Sequence, residues 1–150
     1  MNNLTQQEAN SLLAMDKFYI GTDEFNFPTL GGNLRLPLFS SDHHEEFSLD
    51  ITRGYIALEK NTFQTRARKA IILARLDLAG PPHRNPDDQE IACPHLHLYR
   101  EGYGDKWAVP LPNELTHIDD IFDLIQAFMD YCKIIGKPKI FMQKGLTDAG

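Results

Sequence analysis

His95 and His97 are the two residues whose types and spacing most directly indicate chemistry. They stand two positions apart in the sequence HLHLYR, which runs from residue 95 to residue 100. Alternate side chains of a β-strand point to the same face, so a strand here places both imidazoles on one face, with Cα atoms about 6.5–7 Å apart. An imidazole titrates near neutral pH, and two rings can divide the roles of general acid and general base. The structural alternative is that one ring fills an interface and the other lies in solvent.

The same two histidines also fit a metal site. With Glu101 they form the pattern HxHxxxE, which resembles the first half of the metal-binding motif of cupins. The glycine expected upstream and the second histidine-bearing motif are both missing from this chain. The resemblance implies a transition metal bound by His95, His97 and Glu101, and it is an alternative to histidine catalysis without a metal or cofactor.

His83 is the first histidine of a segment, Gly80–Leu111, that has an unusual composition. The segment holds three histidines, three glycines and five prolines, together with two tyrosines and a tryptophan. Pro81 and Pro82 stiffen the chain ahead of His83 and Arg84, which lowers the entropic cost of holding these side chains in place. Rigid loops on a sheet are frequent locations of functional sites. His83 and Arg84 are therefore candidates for contacting a phosphate or a carboxylate, and the alternative is that His83 only caps the turn.

Aromatic and basic residues follow the histidines closely. Tyr99, Tyr103 and Trp107 are interleaved with Lys106. Proteins that bind single-stranded RNA stack bases on aromatic rings and contact phosphates with cations. These four residues are therefore candidates for substrate contacts. The structural alternative is that Tyr99 and Trp107 pack at the margin of a sheet.

The charge of the chain is unevenly distributed. The net charge of −6 argues against a general nucleic-acid binder, yet residues 51–84 carry seven basic and two acidic residues, a local charge of +5. The basic residues include Arg66, Arg68 and Arg84. We expect them to form a basic face that attracts an anionic partner, with the acidic residues on another face. The alternative is that the basic residues are scattered over a solvated sheet.

The cysteines and the first ten residues indicate the compartment. Residues 1–10 (MNNLTQQEAN) lack the basic and apolar regions of a secretion signal, so we expect a cytoplasmic protein in which Cys93 and Cys132 are free thiols. No run approaches the ~18 apolar residues of a membrane span, so no membrane partner is expected. The length of 150 residues fits a single domain, 1–150, in which residues 137–150 form a loosely ordered tail.

Two helices are predicted near the ends of the chain. Thr5 and Glu8 have the spacing of a capping box, which predicts a short first helix over Thr5–Met15. Apolar residues recur at intervals of three and four after Thr116, which predicts an amphipathic helix over Ile118–Ile135. We expect this second helix to cover one face of a sheet.

The strands of that sheet are predicted from alternating or continuous apolar residues. No long crossover helices separate them, so the fold class is α+β with about six mostly antiparallel strands. The predicted strands are 34–38, 47–52, Tyr55–Lys60 as a hairpin partner, Ala70–Leu78, His95–Arg100 and Trp107–Leu111.

Three longer motifs support a resemblance to a family. They are the turn GPPHRNPD at Gly80–Asp87, the segment PHLHLYREGYGDKW at Pro94–Trp107, and RARK with the following apolar strand at Arg66–Leu78. On these motifs the chain resembles a family of small uncharacterised bacterial and prophage proteins, over roughly Arg53–Leu111. The resemblance implies a single domain in a mobile-element setting and brings no established activity.

The leading functional hypothesis is a small RNA-acting protein of toxin–antitoxin or phage-defence type, acting as a metal-independent endoribonuclease. Cleavage through the ribose 2′-hydroxyl needs a base, an acid and cations on the phosphate, but no cofactor. His97 or His95 would be the base, and the other, or His83, the acid. The expected phosphate contacts are Arg66, Arg68, Arg84 and Lys106.

Two further hypotheses stay open. The first is a non-enzymatic inhibitor or adaptor from a mobile element, which binds a protein partner such as an antitoxin or a defence-system component through Tyr99, Tyr103 and Trp107. The second is a metal-binding enzyme that uses His95, His97 and Glu101. The oligomeric state is not predicted by any pattern in the chain.

Overall fold

The fold is built mainly from strands, with one α-helix near each end of the chain. The computed structural model describes residues 3–54 and 60–142. A 3₁₀ turn at Asn113–Leu115 precedes the second helix. The elements, in chain order, are α1 (Gln6–Ala14), β1 (Lys17–Phe18), β2 (Glu24–Asn26), β3 (Asn33–Phe39), β4 (Glu46–Arg53), β5 (Asn61–Ala67), β6 (Ile71–Asp77), β7 (His83–Arg84), β8 (Glu90–Ile91), β9 (His95–Leu98), β10 (Ala108–Pro110), α2 (Ile121–Tyr131), β11 (Ile134–Gly136) and β12 (Lys139–Phe141).

One large sheet organises these strands. Its eight strands run in the order β10-β9-β6-β5-β4-β3-β1-β11, and every neighbouring pair is antiparallel except β1 with β11. Two small pairs, β2 with β12 and β7 with β8, lie outside it. The α+β class with mostly antiparallel strands is therefore confirmed. The strand number exceeds the predicted six, because strands of two or three residues are too short to show a periodicity.

The two faces of the large sheet differ in polarity. On one face Ile51, Phe63, Leu76 and Leu96 stand side by side on neighbouring strands, and all four are fully buried. The helices cover this face, where the Phe128 ring of α2 lies 6.0 Å from the Phe63 ring. The other face carries polar side chains, because successive residues of a strand point to opposite faces. This polar face holds the candidate site.

The first helix begins as predicted. The hydroxyl of Thr5 accepts a hydrogen bond from the backbone N–H of Glu8, and the carboxylate of Glu8 accepts one from the N–H of Thr5. This reciprocal capping box satisfies two backbone donors that would otherwise lack partners at the helix start. The Thr5–Glu8 spacing thus identified the element correctly.

The second helix is shorter than the predicted Ile118–Ile135. α2 covers only Ile121–Tyr131, and the chain leaves the helical conformation at Lys133, whose φ is 60°. Beyond this point the chain becomes β11 and pairs with β1, so Ile135 is 55% exposed instead of buried. The periodicity continued past the true end of the helix, because an apolar run also suits a strand that pairs at a sheet edge.

The strand that pairs with β4 is also displaced from its predicted place. The expected hairpin partner was Tyr55–Lys60, of which residues 55–59 lie outside the described ranges. The observed partner is β5, Asn61–Ala67. Its sequence NTFQTRA has one strongly apolar inward residue, Phe63, and the buried polar Thr65, so its alternation was too weak to detect.

The predicted tail, 137–150, includes an ordered strand. β12 pairs in parallel with β2, and its Ile140 is buried. Residues 143–150 lie outside the described ranges. Neither helix described in the structure is long and apolar enough to cross a membrane.

Candidate functional site

The site lies where three neighbouring strands carry polar residues on the same face. Asp77 of β6 stands directly opposite His95 of β9, and Arg75 stands directly opposite His97. On the other side of β6, Thr62 of β5 pairs with Asp77. Directly opposed residues on one face have Cβ atoms about 4.5–5.5 Å apart. The register of the sheet thus places one carboxylate beside two imidazoles.

The two histidines converge on a single oxygen of Asp77. Oδ2 of Asp77 lies 3.3 Å from Nε2 of His95 and 3.2 Å from Nε2 of His97. The ligating atoms of the three residues all lie within 4.8 Å of one another. His95 and His97 are 2% and 1% exposed, so both rings are shielded from bulk solvent. The three side chains therefore form a compact and largely buried polar cluster.

The other nitrogen of each ring faces a backbone carbonyl. Nδ1 of His97 lies 2.8 Å from the carbonyl oxygen of Asp105, and Nδ1 of His95 lies 3.1 Å from that of Ile91. A carbonyl oxygen only accepts hydrogen bonds, so each Nδ1 carries a proton and donates it. A neutral imidazole protonated at Nδ1 has a lone pair at Nε2. The Nε2 atoms of both rings are therefore the ones that face the carboxylate of Asp77.

Asp77 Oδ2 lies within hydrogen-bonding distance of Nε2 of His95, at 3.3 Å, and of a guanidinium nitrogen of Arg75, at 3.5 Å. Nε2 of His97 makes no hydrogen bond of acceptable geometry, even though it is buried and lies 3.2 Å from Asp77. Protons on both Nε2 atoms would create two buried cations with ring centroids only 4.9 Å apart, next to Arg75. A single positive ion among the three atoms satisfies all of them at once.

The remaining contacts hold Asp77 ionised. Nε of Arg75 lies 3.2 Å from Oδ1 of Asp77, and a second nitrogen of the same guanidinium lies 2.6 Å from the carboxylate of Asp105. Burial favours the neutral acid, but the contact with His97 and the charge of Arg75 outweigh it and lower the pKa of Asp77 to about 2. Asp77 is therefore a carboxylate at neutral pH, with Oδ1 held by Arg75 and Oδ2 facing the histidines.

His83 completes a group of three rings. Its ring centroid lies 4.6 Å from that of His97 and 6.0 Å from that of His95. Nε2 of His83 donates to the carbonyl oxygen of Lys106 over 2.7 Å, which leaves Nδ1 as the nitrogen that can accept a proton. The short β7–β8 hairpin carries His83, and Asn85 fastens this hairpin to β10 through two hydrogen bonds with the backbone of Ala108. His83 and Asn85, which follow Pro81-Pro82, are thus both attached to the Lys106–Ala108 backbone.

A cavity of about 500 Å³ opens beside the three histidines. Its wall includes Asp77 and all three rings, and it extends across β5 and β4 to Lys60 and Thr52. Cys93 also lines it, with Sγ 3.5 Å from Nδ1 of His95. Burial and the charge of Asp77 raise the pKa of the Cys93 thiol, against the opposing charge of Lys60. The cysteine is therefore mainly a neutral thiol at neutral pH.

Glu101 is not part of this cluster, which corrects the HxHxxxE alternative. Its carboxylate accepts a hydrogen bond from the backbone N–H of Gln6, and its own N–H donates to the side chain of Gln6. β9 ends at Leu98, so the strand period that aligns His95 with His97 does not extend to residue 101. Asp77 takes the place that the pattern assigned to Glu101.

The three arginines expected to form a basic face are paired with carboxylates. Arg66 bonds to Asp50, Arg68 to Glu45, and Arg84 to Glu90. These carboxylates lie on β4, just before β4, and on β8, close to the arginines with which they pair. The expected basic face is therefore wrong for these residues. A substrate contact by any of them stays a prediction.

The aromatic residues lie away from the histidine cavity. Tyr99 is buried, and its hydroxyl bonds to both the N–H and the carbonyl of Leu4. Trp107 stacks under the guanidinium of Arg100 at 4.0 Å and meets the edge of Tyr103. The wall of the cavity includes none of Tyr99, Tyr103, Lys106 and Trp107. The structural alternative proposed for Tyr99 matches its position.

Asp77 is the functional candidate that the sequence analysis missed. It belongs to the run AIILARLDL, in which Arg75 and Asp77 are the only charged residues among the apolar ones of the predicted central strand. Two charges with a spacing of two on a buried strand are costly unless they are paired. This spacing was the signal that could have identified them.

Comparisons with known proteins support one assignment. A model of a family of unknown function, DUF6978, matches residues 4–134. No curated protein and no solved structure matches the chain. The match agrees with the resemblance to a family without an established activity and covers both helices and the histidine cluster. The chain therefore belongs to the family of unknown function DUF6978.

Proposed function

We propose that this protein is a metal-dependent hydrolase in which Asp77, His95 and His97 bind one divalent transition-metal ion. The observation that carries the proposal is the convergence of two buried Nε2 atoms on Oδ2 of Asp77, at 3.3 and 3.2 Å. In the structure the buried Nε2 of His97 has no hydrogen-bond partner, although it lies 3.2 Å from the carboxylate. A metal ion converts the same arrangement into three favourable contacts.

The distances suit a tetrahedral ion. Zinc binds imidazole nitrogen and carboxylate oxygen at about 2.0–2.2 Å, so two ligand atoms of a tetrahedral site lie about 3.4 Å apart. The separations of Oδ2 of Asp77 from the two Nε2 atoms are close to this value. The three atoms all lie within 4.8 Å of one another, which sets the largest separation that a bound ion would have to close.

The outer contacts also match those of metal-binding histidines. Such histidines almost always donate their other ring N–H to a carbonyl or carboxylate, which selects the tautomer and orients the ring. The carbonyl oxygens of Asp105 and Ile91 fill this role for His97 and His95. Oδ1 of Asp77 is held by Arg75 in the same way.

Three protein ligands leave a coordination position for water, which is typical of catalytic rather than structural zinc sites. Metal-bound water loses a proton near neutral pH and becomes a nucleophile. His83 lines the same cavity and keeps Nδ1 available, so it is placed to accept that proton. Hydrolysis needs no co-reactant other than water.

This proposal differs from the metal-independent endoribonuclease. In that scheme His95 and His97 exchange protons with a substrate, but one nitrogen of each ring contacts a carbonyl and the other faces Asp77. The paired arginines and the distant aromatic rings do not favour RNA as the substrate. An RNA-acting role stays a prediction.

Metal analysis of purified variants tests the proposal. Protein stripped with a chelator is incubated with zinc, dialysed and analysed by elemental mass spectrometry. We expect about one zinc per chain in the wild type and far less in Asp77→Asn and His97→Gln. His44→Gln is the matched control, because the His44 side chain is 86% exposed and distant in sequence from the site. Circular dichroism checks that each variant is folded.

Replacement with cobalt gives an independent readout. Tetrahedral cobalt bound by nitrogen and oxygen donors has visible absorption bands, which we expect in the wild type and not in His97→Gln. Failure of the folded wild-type protein to retain zinc, cobalt, manganese or ferrous iron would overturn the proposal. Equal metal retention in all variants would overturn the assignment of the ligands.

A further inference from the structure

We infer that the substrate carries a phosphate group, which binds between the proposed metal centre and Lys60 and is hydrolysed there. This inference rests on the proposed function and adds the class of substrate. Its evidence is the chemistry of the cavity wall on the side away from the histidines.

A row of polar residues crosses the sheet and leads from the metal centre to Lys60. Thr52 of β4 pairs with Thr62 of β5, Thr62 pairs with Asp77, and Asp77 pairs with His95. Neighbouring strands lie about 4.8 Å apart, so Thr52 stands about 10 Å across the sheet from Asp77. Lys60 immediately precedes β5, and its side chain lines the cavity beside both threonines. The floor of the cavity thus has hydroxyl groups and one end has an ammonium group.

The balance of charge at the wall favours an anion. Arg75 is already paired with Asp77 and Asp105. Over residues 3–54 and 60–142 no carboxylate forms an ion pair with Lys60. Asp77 would be neutralised by the metal ion. The cavity would then present two positive centres, the metal ion and Lys60, to its contents.

The number and type of donors favour phosphate over carboxylate. The ammonium of Lys60 has three donors and the hydroxyl of Thr52 adds one more, whereas the hydroxyl of Thr62 already donates to Oδ1 of Asp77. A phosphate ester has three peripheral oxygens that can be shared between these donors and a metal ion, whereas a carboxylate has two. Phosphate bound by Lys as a point charge is a common arrangement.

The apolar parts of the wall favour a small ester over a nucleic-acid strand. Ala79, Pro81 and Pro82 contribute short side chains, and among the described residues the wall has no aromatic ring apart from the histidines. Proteins that bind single strands stack bases on Phe, Tyr or Trp. A cavity of about 500 Å³ is of the size that accepts a small molecule.

The reaction that follows is the hydrolysis of a phosphate ester. The oxygen of water forms a bond to phosphorus while the bond from phosphorus to the ester oxygen breaks. The proton that leaves the water passes to His83, and His83 returns a proton to the departing alkoxide. The products are an alcohol and inorganic phosphate.

Calorimetric titration of the zinc-loaded protein with inorganic phosphate tests this inference. We expect the wild type and Lys69→Ala to bind phosphate, and Lys60→Ala to bind it at least about tenfold more weakly, since a charge-assisted contact is lost. Lys69 is a suitable control because its side chain lines a different cleft. Acetate at the same concentrations should bind more weakly than phosphate.

Turnover assays distinguish a small phosphate ester from RNA as the source of the phosphate group. We expect hydrolysis of p-nitrophenyl phosphate, reduced in Lys60→Ala and unchanged in Lys69→Ala, and no cleavage of a single-stranded RNA. Cleavage of the RNA without turnover of p-nitrophenyl phosphate would overturn the small-ester assignment. Equal phosphate affinity in Lys60→Ala and the wild type would overturn the inference, and so would tighter binding of acetate than of phosphate. The zinc content of the same samples shows independently whether the metal centre is present. Failure of the wild-type protein to bind zinc would overturn both the proposed function and this inference.

Discussion

Oδ2 of Asp77 lies 3.2 Å from Nε2 of His97, although the other nitrogen of that ring donates to a backbone carbonyl. Nε2 of His97 is almost completely buried there and makes no hydrogen bond of acceptable geometry. A contact of this kind is costly in a folded protein unless a cation resolves it. The first prediction therefore concerns what a cation bound between Asp77 and His97 does to stability.

Zinc should stabilise the folded protein through this contact. An ion that binds the native state alone stabilises it by about 2.7 kcal/mol at a hundred times its dissociation constant, which corresponds to roughly 5–10 °C in melting temperature for a chain of this size. We expect this shift in the wild type and in His44→Gln by scanning calorimetry. An equal shift in His97→Gln would show that zinc binds elsewhere.

Asp50 should stabilise the protein in a pH-dependent manner. It is buried, and although burial opposes ionisation, hydrogen bonds from Arg66, Gln64 and Ser48 lower its pKa. The folded state therefore holds fewer protons on Asp50 than the unfolded state, and the stabilisation is complete above the ordinary pKa of 3.8 and disappears as the pH falls through the lowered pKa.

Asp50→Asn is the variant that checks this sign. We expect it to lower the free energy of unfolding by ~2–3 kcal/mol at pH 7, because hydrogen bonds to a charged group are lost. The difference from the wild type should shrink as urea denaturation is repeated below pH 4. Asp119→Asn, at an exposed position, should change stability little. A constant difference at all pH values would contradict the ionised pairing with Arg66.

Ile125 and Ile135 should respond oppositely to the same substitution. Ile125 is fully buried under the sheet, and Ile125→Asp places a charge in the core at a cost of several kcal/mol, so we expect no soluble folded protein. Ile135 is 55% exposed on β11, so Ile135→Asp should fold with a melting temperature close to that of the wild type. Insolubility of both variants would indicate a helix that continues to residue 135.

Asn85 should control the rigidity of the turn that carries His83. Its side chain both donates to the carbonyl and accepts from the N–H of Ala108, over 2.9 and 2.8 Å. Asn85→Ala leaves two buried backbone groups without these partners, at a cost of about 1–3 kcal/mol. We expect faster hydrogen exchange at the Ala108 amide with the core amides of β5 unchanged. Unaltered exchange at Ala108 would show that the hairpin is held by other contacts.

Local patterns predicted a large part of this protein. The capping box of Thr5 and Glu8 identified the first helix, and the alternation in HLHLYR placed His95 and His97 on one face of a strand, where their rings are now seen 4.9 Å apart. The apolar run before Gly80 identified the central strand β6. These features depend on residues within one element, so the spacing along the chain contains the information.

Other features depended on the tertiary structure. Asp77 and His95 are 18 positions apart and meet because β6 and β9 pair in one particular register. The same holds for Arg66 with Asp50, whose pairing removed the expected basic face. The end of α2 was decided by the pairing of β11 with β1. A single sequence shows which side chains a strand presents, but the register between strands is set by the packing of the whole core, and that register brought the carboxylate of Asp77 to the histidines instead of Glu101.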